Sequence, residues 1–496
     1  MNRILIFFLL LATSTYCSYG QKRDYIWIFD QGTGINFNNI SNPFPINTNL
    51  NGIGVENYAS ISSDSGNLLF HVNGNDSIYS TSNTYQIFFS DVYDRNHHLM
   101  PDGDSLLSDL SCTQGSLIIP FPGDSVHYYI FNLNTPPQLF TGFPSGLYYS
   151  VVDMTANNGL GNVVSKNNAI YQDTITEKLT ACKHGNGQDW WLLLHDWNNN
   201  RFVEFIVSPS GITGPIYQTI GTSYITGGTT GPIVFSKDGS RCVSVGGPNI
   251  INVFDFDRCT GLLSNPTILN TGNGFITGSF LYGCSLSPDG NLLYVSNYDT
   301  LFQYNLLAAN IAASKLVVYI KQNPDAHIIQ HMLGPDNKIY VAMVTGGFSI
   351  PPDTAFNNIN MNLSVINSPD SIGAGCNFTP LSFYLNGKRC RGGFPNMVNY
   401  NLEGLSSCPL SINEFSDENR INVTISPNPA NDLILISSDY FERGKLRILD
   451  LTGRILIQES FNKKKDLDIS TLNSGIYIIQ LEEPNKRMLV GKFLKE

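Results

Sequence analysis

The chain has 496 residues and a net charge of −11, with only 14% charged residues alongside 44 Gly, 25 Pro, 24 Tyr and 29 Phe. That is too long for one small domain, and the composition suits an all-β protein with many turns. From Ile421 onward 11 Lys and Arg stand against 10 Asp and Glu, so residues 1–420 carry −12. An acidic body without a basic stripe argues against nucleic acid or an anionic membrane surface as partner.

At the N-terminus Arg3 precedes an unbroken apolar run from Ile4 to Ala12, and Ser18 and Gly20 are small residues at −3 and −1 before Gln21. Nine apolar residues are too few to span a bilayer, which takes about 20. Bulky Tyr16 sits where lipid attachment at Cys17 would want a small residue, so residues 1–20 read as a cleaved signal peptide. No later stretch approaches transmembrane length. Cleavage leaves eight of the nine cysteines, an even number that permits disulfides in an exported chain. Local spacing favours Cys376–Cys390 and Cys242–Cys259 as bridges, and buried thiols are the alternative for the rest.

Tyr25–Phe29 (YIWIF) is an isolated strand pattern. Beyond it one phrase recurs: SSDSGNLLFHV at Ser62, SKDGSRCVSV at Ser236, SPDGNLLYVS at Ser287 and GPDNKIYVAM at Gly334. Weaker versions start at Pro122 and Asn186. Each reads as strand, tight turn, strand, with Asp capping the turn and Gly taking positive φ. The turn residues Gly66, Gly123, Gly187, Gly239, Gly290, Asn337 and Gly387 are 57, 64, 52, 51, 47 and 50 apart. A WD40-like period of about 50 residues predicts a β-propeller over 21–404, with seven blades favoured and six as the alternative. To close the ring, Tyr25–Phe29 is expected in one sheet with strands from residues 378–402.

Candidate chemistry in the body is sparse. His327 and His331 are four apart, but on a strand that separates them by about 13 Å, so structural roles are expected. His97 and His98 fall in a polar loop and read as solvated. His184, Asp189, His195 and Asp196 flank the WWLLL strand and could reach a propeller mouth, where Trp190 and Trp191 would form a sugar platform. The favoured reading is packing for one Trp and surface for the other. The Asp-Gly turns lack the ligand density of a calcium loop. No G-x-S-x-G, HExxH or phosphate-binding glycine loop occurs. No catalytic, cofactor or metal residue is therefore assigned.

Residues 405–422 read as a polar linker, and 423–496 as a second all-β unit. Pro427 and Pro429 frame an extended lead-in around Asn428, and Asn431-Asp432 favours a turn before the first strand. A second strand covers Leu446–Leu451, Thr452-Gly453 supplies a hairpin turn, and Arg454–Gln458 returns. Gly475 precedes IYIIQL, which includes Tyr477 and is apolar on both faces, as expected of a central strand; the chain ends KFLKE with Lys492 and Lys495. The order of the PNP, D-x-x-G-R, L-x-x-G-I-Y and basic K-F-L-K motifs resembles the type A C-terminal sorting domain of the type IX secretion system. That resemblance implies a β-sandwich recognised by the secretion machinery and removed by a surface protease, with attachment to surface lipopolysaccharide as one fate.

Several body segments also resemble a family of exported proteins from bacteria with this system. They are IWIFDQGTGINF, the E-x-x-A-S-I stretch Glu56–Ile61, Tyr149–Asn167 and the G-F-P-N segment Gly393–Asn396. This resemblance implies a propeller with a sorting tail and lends no substrate. The expectation is a secreted or surface-delivered propeller, exported through the periplasm, that binds a protein or glycan and is not an enzyme; the alternative is a hydrolase or lyase with a funnel active site.

Overall fold

The computed structural model describes residues 21–30, 32–48, 50, 56–75, 89–108, 112–135, 144–224, 230–247, 250–270, 281–346, 355–406, 408, 423–438, 443–449, 455–482 and 488–495. The signal segment 1–20 lies outside them. Two compact units divide the chain, Met1–Ser411 and Ile412–Glu496.

Among the described residues the first unit holds seven antiparallel sheets in chain order. Blade 1 spans 26–47 with three strands; blades 2 to 7 span 58–107, 116–171, 175–219, 233–270, 281–320 and 326–384 with four strands each. In blades 2 to 7 the first strand is the inner one. Tyr58–Ser62 and Leu281–Leu286 are buried at every residue, whereas the fourth strands Gly211–Thr219 and Leu316–Ile320 are largely exposed. A strand packed on both faces needs apolar side chains throughout, and an outer edge needs only one such face.

The periodic turns join the first and second strands of blades 2 to 7. Gly66, Gly123, Gly187, Gly239, Gly290 and Asn337 all have φ between 62° and 86°. The Asp does what the sequence suggests: Asp238 Oδ1 accepts the Ser240 N–H and the Ser236 hydroxyl, and Asp289 Oδ1 repeats this with Asn291 and Ser287. Gly387 is the exception. Its φ is +79°, but it follows the outer strand Phe378–Tyr384 of blade 7 instead of opening a new blade.

Ring closure differs from the expectation. Ile26–Phe29 does not share a sheet with Phe378–Tyr384; it opens blade 1, pairing with Thr33–Asn36, which pairs in turn with Phe44–Asn47. Blades 1 and 7 meet through side chains, because the chain after blade 7 turns inward. Trp27 and Phe37 pack on Tyr340, with ring centroids 5.7 and 5.5 Å apart, and Phe29 packs on Phe394 at 5.4 Å. Fully buried Asp30 pairs with Arg391 at 2.9 Å, and the Thr33 hydroxyl donates to the Arg389 carbonyl. Pro395 bridges to Tyr58 at the start of blade 2, and the Asn396 N–H donates to the Tyr58 carbonyl.

The expected cysteine pairs are absent. Cys242, Cys376 and Cys390 are buried thiols in separate packed regions, and Cys259 is bonded to Cys408. Neither partner choice could follow from local spacing, since 149 residues separate Cys259 from Cys408.

The second unit is a β-sandwich. One sheet holds Val423–Ser426, Leu433–Ser438 and Lys464–Asp468; the other has the order Ile455–Phe461, Gly444–Leu449, Gly475–Glu482, Met488–Lys495. Along Leu433–Ser438, Ile434 and Ile436 are buried and Leu433 and Leu435 are exposed, the period-two pattern of a half-buried strand. Gly475–Glu482 pairs on both edges and is central, as its apolar sequence suggests.

Candidate functional site

In the C-terminal unit most of the singled-out residues gather on the last strand. Pro427 and Pro429 are exposed, and between them the Asn428 side-chain oxygen accepts the Leu494 N–H at 2.9 Å. The Ala430 N–H donates to the Leu494 carbonyl, and Ala430 bridges to Lys495. The PNP segment thus clasps the final residues. Across the strand pair Gly475 faces Lys495, Tyr477 faces Phe493 and Ile478 faces Lys492. Tyr477 stacks on Phe493 at 5.6 Å and its hydroxyl donates to the Asn473 carbonyl. Lys495 is mostly buried, with Nζ 4.0 Å from Asp432. Gly453 and Arg454 lie outside the described residues.

In the body, the side-chain amides of Gln114, Gln330 and Asn396 link segments from different blades. Gln114 exchanges two hydrogen bonds with the Ile233 backbone, at 2.8 and 3.0 Å, and reaches the Asn396 side chain. Gln330 donates to the Thr113 carbonyl and accepts the Phe394 N–H, while Asn396 donates to the Leu179 carbonyl. The E-x-x-A-S-I and G-F-P-N segments therefore meet here.

On the side away from the hairpin turns, Glu177 accepts the Thr113 N–H and hydroxyl at 3.1 and 2.8 Å, and Thr113 Oγ1 lies 3.3 Å from the Tyr282 hydroxyl. Burial, then the Glu56 and Glu177 carboxylates, push the Tyr282 phenol well above its ordinary range, and Glu56 also hydrogen-bonds it. The same burial and carboxylates push Tyr298 up to about 12. Glu56, Glu177 and Tyr282 come from blades 2, 4 and 6. Sequence reasoning did not single out Glu177 or Tyr282 and named Glu56 only within a motif. Nothing local marks them, because only ring closure brings them together. Among the described residues no three His, Cys, Asp or Glu side chains are grouped to hold a metal ion.

On the hairpin side a cavity of about 460 Å³ opens, walled by Trp27, Ile233, Leu286, Met332, Val398 and Leu402. Asp24 also lines it, and burial raises its carboxyl to about 6.

The four titratable groups around WWLLL are not brought together. His184 and Asp189 lie at one end of Trp190–Asp196, His195 and Asp196 at the other. His184 stacks on Trp191, whose Nε1 donates to the Arg258 carbonyl. Both tryptophans are buried, so the expected surface Trp does not exist and neither forms a platform. His195 is wedged between Phe202 and Tyr224 with both centroids at 4.7 Å, and burial lowers its pKa to about 3. Asp196 pairs with Arg201 and accepts the Tyr171 hydroxyl. His331 is buried against the Ser285 hydroxyl at 2.9 Å, and His327 packs on Tyr298. His97 is not simply solvated: its Nδ1 lies 3.1 Å from Nε2 of buried His71.

The seven sheets and the second all-β unit define the class: a β-propeller followed by a small all-β tail. The tail then receives its family. Residues 424–496 match the secretion system C-terminal sorting domain, so this segment is a type IX secretion sorting domain, and the chain is a cargo for the cell surface or the extracellular space. No curated protein matches the chain. Among solved structures, a Bacteroides fragilis protein provisionally assigned as a 6-phosphogluconolactonase is 13% identical, with a TM-score of 0.42 over 68% of this chain and 89% of that one. The periplasmic gluconolactonase of Pseudomonas aeruginosa is 13% identical, with a TM-score of 0.39 over 63% and 85%. The β-propeller domain of Myceliophteria thermophila Cps50 is 9% identical, with a TM-score of 0.36 over 65% and 93%.

Proposed function

We propose that this type IX cargo is a secreted or surface-held recognition module that binds a protein or glycan at one mouth of its ring. In this reading residues 1–20 are removed on export, 21–404 form the propeller, 405–422 link it to the tail with Leu405 and Cys408 still fastened to the body, and 423–496 engage the secretion machinery before removal. The sorting-motif residues Pro427, Asn428, Pro429, Gly453, Arg454, Gly475, Tyr477, Lys492 and Lys495 are proposed to carry that engagement. The carrying observation is the hairpin-side cavity of about 460 Å³. Gln114, Gln330 and Asn396 line it beside Trp27, Ile233 and Val398, so segments distant in sequence share one concave surface, a shape suited to recognition. A glycan array and a protein pull-down with the secreted chain test this. Specific capture is expected; no ligand in either format would count against it.

A second reading is favoured by one observation, the convergence of Glu56, Glu177 and Tyr282 from three blades. Two carboxylates beside a phenol are the raw material of acid–base chemistry, so a hydrolase or lyase is the alternative. A hydrolase and lyase screen distinguishes the two, and turnover lost in both Glu56→Gln and Glu177→Gln would establish the enzyme.

A further inference from the structure

After blade 7 the chain does not stay at the rim. Residues 389–406 and Cys408 form a strap that runs inward past blade 1 and then outward over the hairpin face. Its two ends are held differently. The inner end is anchored by the Asp30–Arg391 pair, by Phe394 packed on Trp27 and Phe29, and by the Tyr400 hydroxyl donating to the Ile118 carbonyl. The outer end has little apolar burial. Leu402 is buried, but Glu403 to Ser406 are exposed.

What holds that outer end is a slot between blades 4 and 5. The Leu405 N–H donates to the Gly185 carbonyl at 2.7 Å, Arg258 Nη2 donates to the Glu403 carbonyl at 2.6 Å, and Cys408 is bonded to Cys259. The slot requires glycine. A Cβ on Gly185 would lie 2.6 Å from both sulfurs, and one on Gly187 would lie 2.9 Å from the Gly404 nitrogen.

We propose that the Cys259–Cys408 disulfide is a redox latch that shuts the weak end of the strap, so that the ring is finished by oxidation outside the cytoplasm and stays shut when the tail is removed. Latching converts two thiols to one S–S bond. Two protons and two electrons pass to an oxidised dithiol oxidoreductase, or in vitro to glutathione disulfide, which leaves as two thiols. A link across 149 residues strongly restricts the open chain. The remaining thiols do not compete. Cys112, Cys182, Cys242, Cys284, Cys376 and Cys390 are all buried. Burial pushes the Cys182 thiol, under the same corner, up to about 12, which denies it the thiolate needed for exchange. The latch also secures Val398 and Leu402, which wall the hairpin-side cavity.

The test is hydrogen exchange on the purified full chain, oxidised with glutathione disulfide, reduced with dithiothreitol, and as Cys408→Ser. Reduction and Cys408→Ser should each speed exchange of the 399–408 amides by about tenfold or more while blades 2 to 4 keep their protection. If Cys408→Ser does not fold, reduction of the folded wild type gives the same readout. Unchanged strap protection, loss of protection throughout the blades, or a non-reducing digest that links other cysteines would overturn the latch.

Discussion

The propeller and the sorting tail solve the same problem, burying β-sheet, with different interiors. The tail core is almost wholly apolar: Ile434, Ile436, Leu446, Ile448, Phe461, Ile479, Leu481 and Phe493. The propeller buries ions and imidazoles as well, among them Asp30, Arg391, Lys178, Glu204, His71, His195 and His331. A two-sheet sandwich can send every polar residue outward by alternation. A ring cannot, because its inner strands are covered on both faces and its blades must be told apart. Lys178 illustrates the demand: its ammonium donates to the carbonyls of Thr230, Gly231 and Val245 at 2.6, 2.6 and 2.7 Å, stitching blade 4 to blade 5. The contrast implies that the tail fails by losing apolar contacts and the body by losing polar partners.

The sharpest break in that comparison is deletion of Lys492–Glu496. It removes the fully buried Phe493 and the clasp at Leu494, a loss of about 3–5 kcal/mol for the ring alone. Extracellular protein should vanish and periplasmic protein accumulate on fractionation, while calorimetry of the purified variant keeps the body transition. Normal secretion would remove the sorting role from this end.

Next in size is Asp30→Ala, which strands the buried Arg391 guanidinium and should destabilise the body by about 3–5 kcal/mol in urea without touching the tail. Adding Arg391→Met should recover part of that loss. A double variant no better than the single would mean that the pair does not act through uncompensated charge.

A smaller, graded effect is expected with pH. All eight histidines lie before residue 421. Burial holds His71, His195 and His331 at about 3, so below the unfolded value of 6.5 the unfolded chain binds more protons and stability falls as pH drops from 6.5 towards 3. Each contributes up to about 1.4 kcal/mol per pH unit. Asp24, raised from 3.8 to about 6, and Glu204, which burial raises well above 4.5, have the opposite sign in this window and together offset about two of the three histidines, leaving a net fall. The tail transition should not share this histidine-driven fall. A body stability flat between pH 6 and 4 would show that the buried imidazoles do not carry it.

The smallest effects separate turn strain from crowding. Gly211 has φ of +113° and nothing within 4 Å of a built Cβ, so Gly211→Ala should cost about 1 kcal/mol. Gly187→Ala meets the Gly404 backbone as well and should lower the Tm further. Equal shifts in Tm would show that the strap does not press on that turn.

Much of this architecture was written locally. Turn chemistry and strand alternation act over a few residues, so the recurring Asp- and Gly-bearing turn phrases, strict Ser-x-Asp-Gly only at Ser236 and Ser287, revealed the first hairpin of blades 2 to 7, and the apolar run after Gly475 revealed a central strand. The motif order in the tail was sufficient to resemble its family. What only the tertiary structure decided lies at long sequence separation. Tyr25–Phe29 was expected to complete the last blade, yet its ring partners are Tyr340 and Phe394, chosen by the inward turn of the strap. Cys259 has nearer cysteines than Cys408 in sequence, but only Cys408 is carried to it. Glu56, Glu177 and Tyr282 belong to three different blades, and Trp190 and Trp191 are both covered by neighbouring chain. Backbone preference and hydrophobic period are properties of a window, whereas pairing, burial on a second face and the meeting of charges are properties of a closed ring.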